Sequence, residues 1–244
     1  MLGARLSRDR HAGFVIRTTG AHLHLRVQHC FQMSVRWPLL HAMPPNQAPD
    51  NGPDSLYFTA PEDRRALRRR LLALRAALPD RETADAQIAA ALAPLLERLG
   101  VQRLGFYWPI QQEFDARDTV ARWLAAMPGR VAALPVVSRA AAPLDFHAWT
   151  PDTTMRVGQY GIPVPDGTGA VTPDALLIPC VGFSANKFRL GYGGGFYDRT
   201  LAAMAAANAT PIAIGIGFAA CEAPLQAASH DLPMDWLVTE LGAR

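Results

Sequence analysis

Two near-continuous apolar runs, ALLIPCVGF (Ala175 to Phe183) and PIAIGIGF (Pro211 to Phe218), restrict the folds open to this chain more than any other feature. A strand with one wet face alternates apolar and polar residues, whereas a run that is apolar throughout needs cover on both faces. Strands inside a parallel sheet, with helices above and below, meet that need. Further short strands are expected at Arg103–Trp108, Val131–Val137 and Trp236–Thr239, alternating with helices near Ala116–Ala126 and Phe196–Asn208. The predicted fold class is therefore α/β: a three-layer α/β/α sandwich with a mostly parallel, Rossmann-like sheet.

The body carrying this pattern spans residues 56–244. Near its start, TAPED supplies Thr59 as an N-cap, Pro61 for the first turn, and Glu62 and Asp63 at the positive end of a helix dipole. The helix continues as RRALRRRLLALRAAL, with Leu67, Leu71, Leu74 and Leu78 expected on one face and Arg64 and Arg68 sharing another. A second helix, Ala84 to Leu99, stops at Gly100. Residues 1–55 show no sustained period and hold only three acids, Asp9, Asp50 and Asp54. They read as an irregular extension and linker, or as sequence upstream of a true start at Met33 or Met43.

Composition narrows the function classes. The chain has 24 Lys+Arg against 21 Asp+Glu, and Lys187 is its sole lysine. A net charge of +3 is too small to argue for a nucleic-acid partner. No run approaches the ~18 apolar residues of a membrane span. Three well-separated cysteines, Cys30, Cys180 and Cys221, suggest neither a disulfide framework nor a metal knuckle, which fits a reducing cytoplasm.

Between the run ending at Phe183 and the helix opening at Phe196 lies FRLGYGGGFYDRT, with Gly191, Gly193, Gly194 and Gly195 close together. In open α/β sheets, ligands bind beyond the carboxyl ends of strands, where this loop falls. Glycines let backbone N–H groups turn toward an anion, and the following helix adds its positive end. Lys187 and Arg189 would add full charges. The loop fits neither the P-loop nor the dinucleotide fingerprint, since Phe196 stands where each requires a glycine. A plain glycine-rich turn explains it on composition alone. Asp198, in the helix's first turn, suits either a cap or a magnesium ligand.

The stretch from Arg189 to Leu201 resembles the RLGYGGGYYDRTL signature of the 5-formyltetrahydrofolate cyclo-ligase (methenyltetrahydrofolate synthetase) family. Other segments follow in the family's order. RRALR (Arg64 to Arg68) resembles its K-x-x-[LI]-R helix start, with arginine in the lysine place. YWPIQQEFD (Tyr107 to Asp115) is similar to its strand-end segment carrying a glutamate, here Glu113. YGIPVPDG (Tyr160 to Gly167) is similar to GIPEP, with Val164 where an acid is common. HDLPMDWLVTE (His230 to Glu240) is similar to its last strand.

The resemblance implies ATP- and Mg²⁺-dependent ring closure of 5-formyltetrahydrofolate to 5,10-methenyltetrahydrofolate, with small molecules as partners, by a cytoplasmic monomer. It implies ATP binding by Arg64, Arg65, Ala66, Leu67 and Arg68, and by Arg189, Leu190, Gly191, Tyr192, Gly193, Gly194, Gly195, Phe196 and Tyr197. Arg68, Arg189 and Tyr197 would serve catalysis. Trp108 and Glu113 would contact the pterin, alongside Tyr192 to Phe196, while Asp198 and Asp231 would hold Mg²⁺. Two other readings are weighed against it: a sugar-phosphate isomerase or CoA-transferase on a similar core, and a basic nucleic-acid binder using the basic N-terminal tail and the Arg64–Arg70 face. The first lacks a second motif for its base, and the second lacks any recognised binding module.

Overall fold

The computed structural model describes residues 63–226 and 231–244. The expectations for residues 1–55, for the Thr59 cap with Pro61 and Glu62, and for His230 fall outside these residues.

Helix α1 (Arg64–Ala76) is preceded by Asp63, and α2 (Arg81–Arg98) reaches Gly100 through Leu99. Gly100 turns the chain at φ +64°, a conformation that favours glycine. Strand β1 (Arg103–Gly105) leads through α3 (Arg117–Ala126) to β2 (Val131–Val136). The chain then returns antiparallel as β3 (Asp145–Trp149) and makes a small hairpin, β4 (Met155–Val157) with β5 (Pro163–Pro165). Strand β6 (Ala175–Pro179) re-enters the sheet, and a second hairpin, β7 (Gly182–Phe183) with β8 (Arg189–Leu190), precedes α4 (Phe196–Ala206). Strands β9 (Ile212–Ile216), β10 (Trp236–Thr239) and β11 (Gly242–Ala243) complete the order.

The seven-stranded sheet runs β11-β10-β9-β6-β1-β2-β3, parallel except at its two edge strands. Its central strand shows why the apolar runs looked as they did. Ala175 and Leu177 of β6 pack with Leu71 of α1, Ile88 and Leu92 of α2 and Val120 of α3. Their neighbours Leu176 and Ile178 pack with Leu201 and Met204 of α4. Successive side chains of a strand point to opposite faces, and here both faces are covered. Among the described residues no helix is long and apolar enough to cross a membrane.

Several sequence expectations need correction. The run 175–183 is not one strand: sheet pairing ends at Pro179, and Gly182–Phe183 pairs instead with Leu190 and Arg189. Both pieces are buried, so their apolar pattern is the same. The expected strand Arg103–Trp108 pairs only through Gly105, after which the chain departs into the loop that carries Glu113. On α1, Leu67 and Leu71 are buried, but Leu74 is 41% exposed. The next place in the buried stripe, four residues beyond Leu71, belongs to Arg75.

The connections set where a ligand can bind. From β1 the chain crosses to β2 on one side, whereas from β6 it crosses to β9 on the other. The crevice between β1 and β6, beyond their carboxyl ends, is the switch point of the sheet. Gly105 closes β1 there, and a Cβ on it would lie 2.5 Å from Leu176 Cδ2 and 2.9 Å from Phe146 Cε1. Gly105→Ala is expected to cost about 1–3 kcal/mol by overpacking, read as a lowered urea midpoint with an unchanged m-value.

Candidate functional site

A cavity of about 620 Å³ opens at this switch point. The loop after β1 supplies Tyr107, Trp108 and Glu113, and α1 supplies Arg64 and Arg68. The glycine loop, Gly191 to Gly195, runs into Phe196, Tyr197 and Asp198 at the start of α4, and all of them line the wall. The β4–β5 hairpin closes another side with Tyr160, whose ring meets Phe196 edge-on at 6.1 Å.

The glycines have local reasons. Gly193 and Gly195 sit at φ +98° and +64°, where a side chain would strain the backbone. A Cβ on Gly193 would also press the Arg68 guanidinium, 3.3 Å away at Cζ. Arg68 fixes the loop by donating from Nε to the Gly191 carbonyl at 2.7 Å. At the far end Arg199 donates to the Gly194 carbonyl at 2.7 Å and stacks over Phe196. Gly195 immediately precedes α4, whose N-terminal amides form the positive end of the helix dipole.

The charges pair across the elements. Arg189 Nη2 donates to Asp198 Oδ1 at 2.6 Å, and the Arg189 side chain is only 7% exposed. Arg64 pairs with Asp231 and also donates to the Gln226 carbonyl. Magnesium bound to a nucleoside triphosphate takes one or two protein carboxylates and fills its shell with phosphate and water. Asp198 and Asp231, lining the same cavity, fit that donor set. Among the described residues no group of three or more His, Cys, Asp or Glu side chains could hold an ion.

Glu113 sits deep, at 6% exposure. Burial raises its carboxyl above the usual range, opposed by the Ile110 amide, the Tyr192 hydroxyl and the charge of Arg75. Its Oε2 accepts from the Ile110 N–H at 2.9 Å and its Oε1 from the Tyr192 hydroxyl at 2.8 Å. Gln111 and Gln112, at φ +45° and +59°, turn the loop tightly enough for this. Two left-handed non-glycine residues in succession mark strain held by the surroundings. The Tyr197 phenol is pushed up by burial and by the Glu113 carboxylate, so it stays protonated and able to donate. Trp108 is half-buried on the cavity wall, with the Arg117 guanidinium 4.4 Å from its ring centre.

Of the residues named from sequence, Arg64, Arg68, Trp108, Glu113, Arg189, Gly191 to Asp198 and Asp231 share this cavity. Arg65, Ala66, Leu67 and Leu190 do not line it: Arg65 is exposed, and Leu67 and Leu190 are core residues. Lys187 is corrected. Its Nζ donates to the Asp235 carbonyl at 2.8 Å, in a turn that takes it off the cavity wall. The sequence reading missed Arg75, whose only signal was a cation in the apolar stripe of α1, and Arg199, which braces the glycine turn.

A model of the 5-formyltetrahydrofolate cyclo-ligase family matches residues 60–240. The chain belongs to this family. A cyclo-ligase of Mycoplasma pneumoniae is 28% identical over 184 residues, covering 73% of this chain and 99% of that one. A cyclo-ligase of Haemophilus influenzae is 46% identical over 61 residues, which span 33% of its length. Among solved structures, a 5,10-methenyltetrahydrofolate synthetase of M. pneumoniae superposes with a TM-score of 0.59 at 25% identity, covering 73% of this chain and 99% of that one. The synthetase of Aquifex aeolicus shares the fold at a TM-score of 0.61 and 24% identity, covering 74% and 91%. The three-layer α/β reading thus agrees with the family's solved folds.

Among the described residues no cysteine lines the cavity, and the two described thiols are buried. Burial pushes the Cys180 thiol up to about 12, and burial also raises that of Cys221. Both thiols are thereby kept protonated and unreactive near neutral pH. In a Cys30→Ala protein, Ellman's reagent at pH 8 is expected to titrate no thiol until denaturant is added.

Proposed function

We propose that this protein closes the ring of 5-formyltetrahydrofolate to 5,10-methenyltetrahydrofolate at the expense of ATP. The observation that carries the reading is a single cavity uniting two kinds of wall. One is a glycine loop with arginines and carboxylates; the other is the Trp108–Glu113 loop, and Tyr192 bridges them by its bond to Glu113.

The formyl oxygen attacks the γ-phosphorus, and ADP leaves. N10 then adds to the activated carbon and gives up its proton to the departing phosphate, and the C–O bond breaks with its electron pair going to that phosphate. A poor leaving group has become a good one, so the protein needs alignment and charge neutralisation more than a nucleophile. In this reading the Gly191–Gly195 backbone and the α4 N-terminus cradle the phosphates, while Arg64, Arg68 and Arg189 neutralise them. Arg68 lies against Gly193, near the reacting oxygen in this arrangement. Magnesium, when bound at Asp198 and Asp231, would screen phosphate charge. Arg64 and Arg189 are then free to move from those carboxylates onto phosphate oxygens. Trp108 stacks on the pterin, Glu113 accepts its ring N–H bonds, and Tyr197 donates within the cavity.

With 5-formyltetrahydrofolate, ATP and Mg²⁺, absorbance of the methenyl product should appear and should depend on ATP. A well-folded protein giving no ATP-dependent signal would overturn the reading. Asp198→Asn is expected to lower kcat by roughly 10²-fold or more while the far-ultraviolet circular dichroism stays unchanged. Wild-type turnover in this variant would remove Asp198 from the phosphate site.

A further inference from the structure

Arg75 lies outside the proposed reaction, yet it is the most deeply buried arginine described, at 2% exposure. It sits on the core face of α1, and among the described residues no carboxylate lies within ion-pair distance of it. Its Nη2 donates to the Tyr192 hydroxyl at 2.7 Å, its Nη1 lies 3.4 Å from the Cys180 carbonyl, and its Nε has no partner. A buried charge so lightly paired is costly to hold.

An arginine can only donate, and a phenol has one proton. Once Arg75 occupies the Tyr192 oxygen as an acceptor, that proton has one direction left, onto Glu113 Oε1 at 2.8 Å. The Ile110 amide occupies Oε2. Each oxygen of Glu113 therefore keeps a lone pair for the cavity, the arrangement that receives a pair of N–H donors on a planar ring. We propose that Arg75 is a positioning residue: acting through the Tyr192 hydroxyl, it orders the proton of that bond and holds Glu113 as a pure acceptor. The inference rests on the reading of Glu113 as a pterin contact.

The groups facing Glu113 come from five places. They are Arg75 of α1, Tyr107 after β1, Cys180 after β6, Tyr192 of the glycine loop and Tyr197 of α4. Arg81 of α2 also holds the Glu113 backbone carbonyl. Of the five, Arg75 is the one with positive charge, and it opposes the upward push of burial on the Glu113 carboxyl. Removing it should make Glu113 harder to ionise.

The test follows the Glu113 carboxyl carbon by ¹³C NMR in glutamate-labelled protein, assigned by its loss in Glu113→Gln. Arg75→Met should raise its titration midpoint by about one pH unit or more. Tyr192→Phe, which keeps the charge but removes the donor, should raise it as well, and Arg75→Lys should recover part of the loss. In turnover, the folate KM of Arg75→Met should rise roughly tenfold at pH 7, with the ATP KM unchanged. The acidic limb of kcat/KM for folate should move up with the NMR midpoint. A midpoint that stays in place in folded Tyr192→Phe overturns the proposal, as does an equal rise of both KM values. If Arg75→Met does not fold, Tyr192→Phe decides alone. The NMR readout needs no turnover, so failure of the cyclo-ligase reading is seen separately, as a missing product signal.

Discussion

A parallel sheet buried on both faces is the constraint from which the rest of this molecule follows. Its central strands can only be apolar, so they offer no polar side chains for chemistry. Chemistry is thereby displaced to the loops beyond the carboxyl ends. The opposite crossovers from β1 and β6 leave a crevice there, where the cavity opens. Gly105, packed against Leu176 and Phe146, lets β1 end tightly and release the chain toward Glu113. The hairpin of β7 and β8 brings the glycine loop back to the same place.

The cavity is organised by arginines whose charge is satisfied differently on its different sides. Arg189 and Arg64 meet carboxylates on the wall. Arg68 and Arg199 bind backbone carbonyls and shape the glycine turn. Arg75, sealed in the core, reaches its opposite charge only through a tyrosine hydroxyl. In a site of low dielectric these bonds are strong when complete and costly when broken. Tyr192 therefore ties the glycine loop to the loop that holds Glu113.

Much of this was legible in sequence. The apolar runs gave the layers, Gly100 ended its helix as expected, and the spacing of Arg64 and Arg68 put both on the cavity. The glycine signature located its wall. Lys187 was misplaced because charge and proximity say nothing of direction: its left-handed backbone, at φ +62°, turns it toward Asp235. The length of the strand at 175–183 was overread because a sheet strand and a buried hairpin demand the same apolar residues. The role of Leu74 was overread because leucines at three- and four-residue spacing define two overlapping faces of a helix. Only the packing of α1 chose the face that contains Arg75.

By itself, then, the sequence determined the layers, the order of the central parallel strands and the family, because local periodicity and a contiguous glycine signature are properties of neighbouring residues. Tertiary structure decided which charges meet. Arg75 and Tyr192 are separated by much of the chain, as are Tyr192 and Glu113. Their hydrogen bonds exist only because α1, the β1 loop and the glycine loop converge on one crevice. A hydrogen bond depends on distances of a few ångströms between side chains, and no spacing along the chain encodes those once the partners lie on different elements.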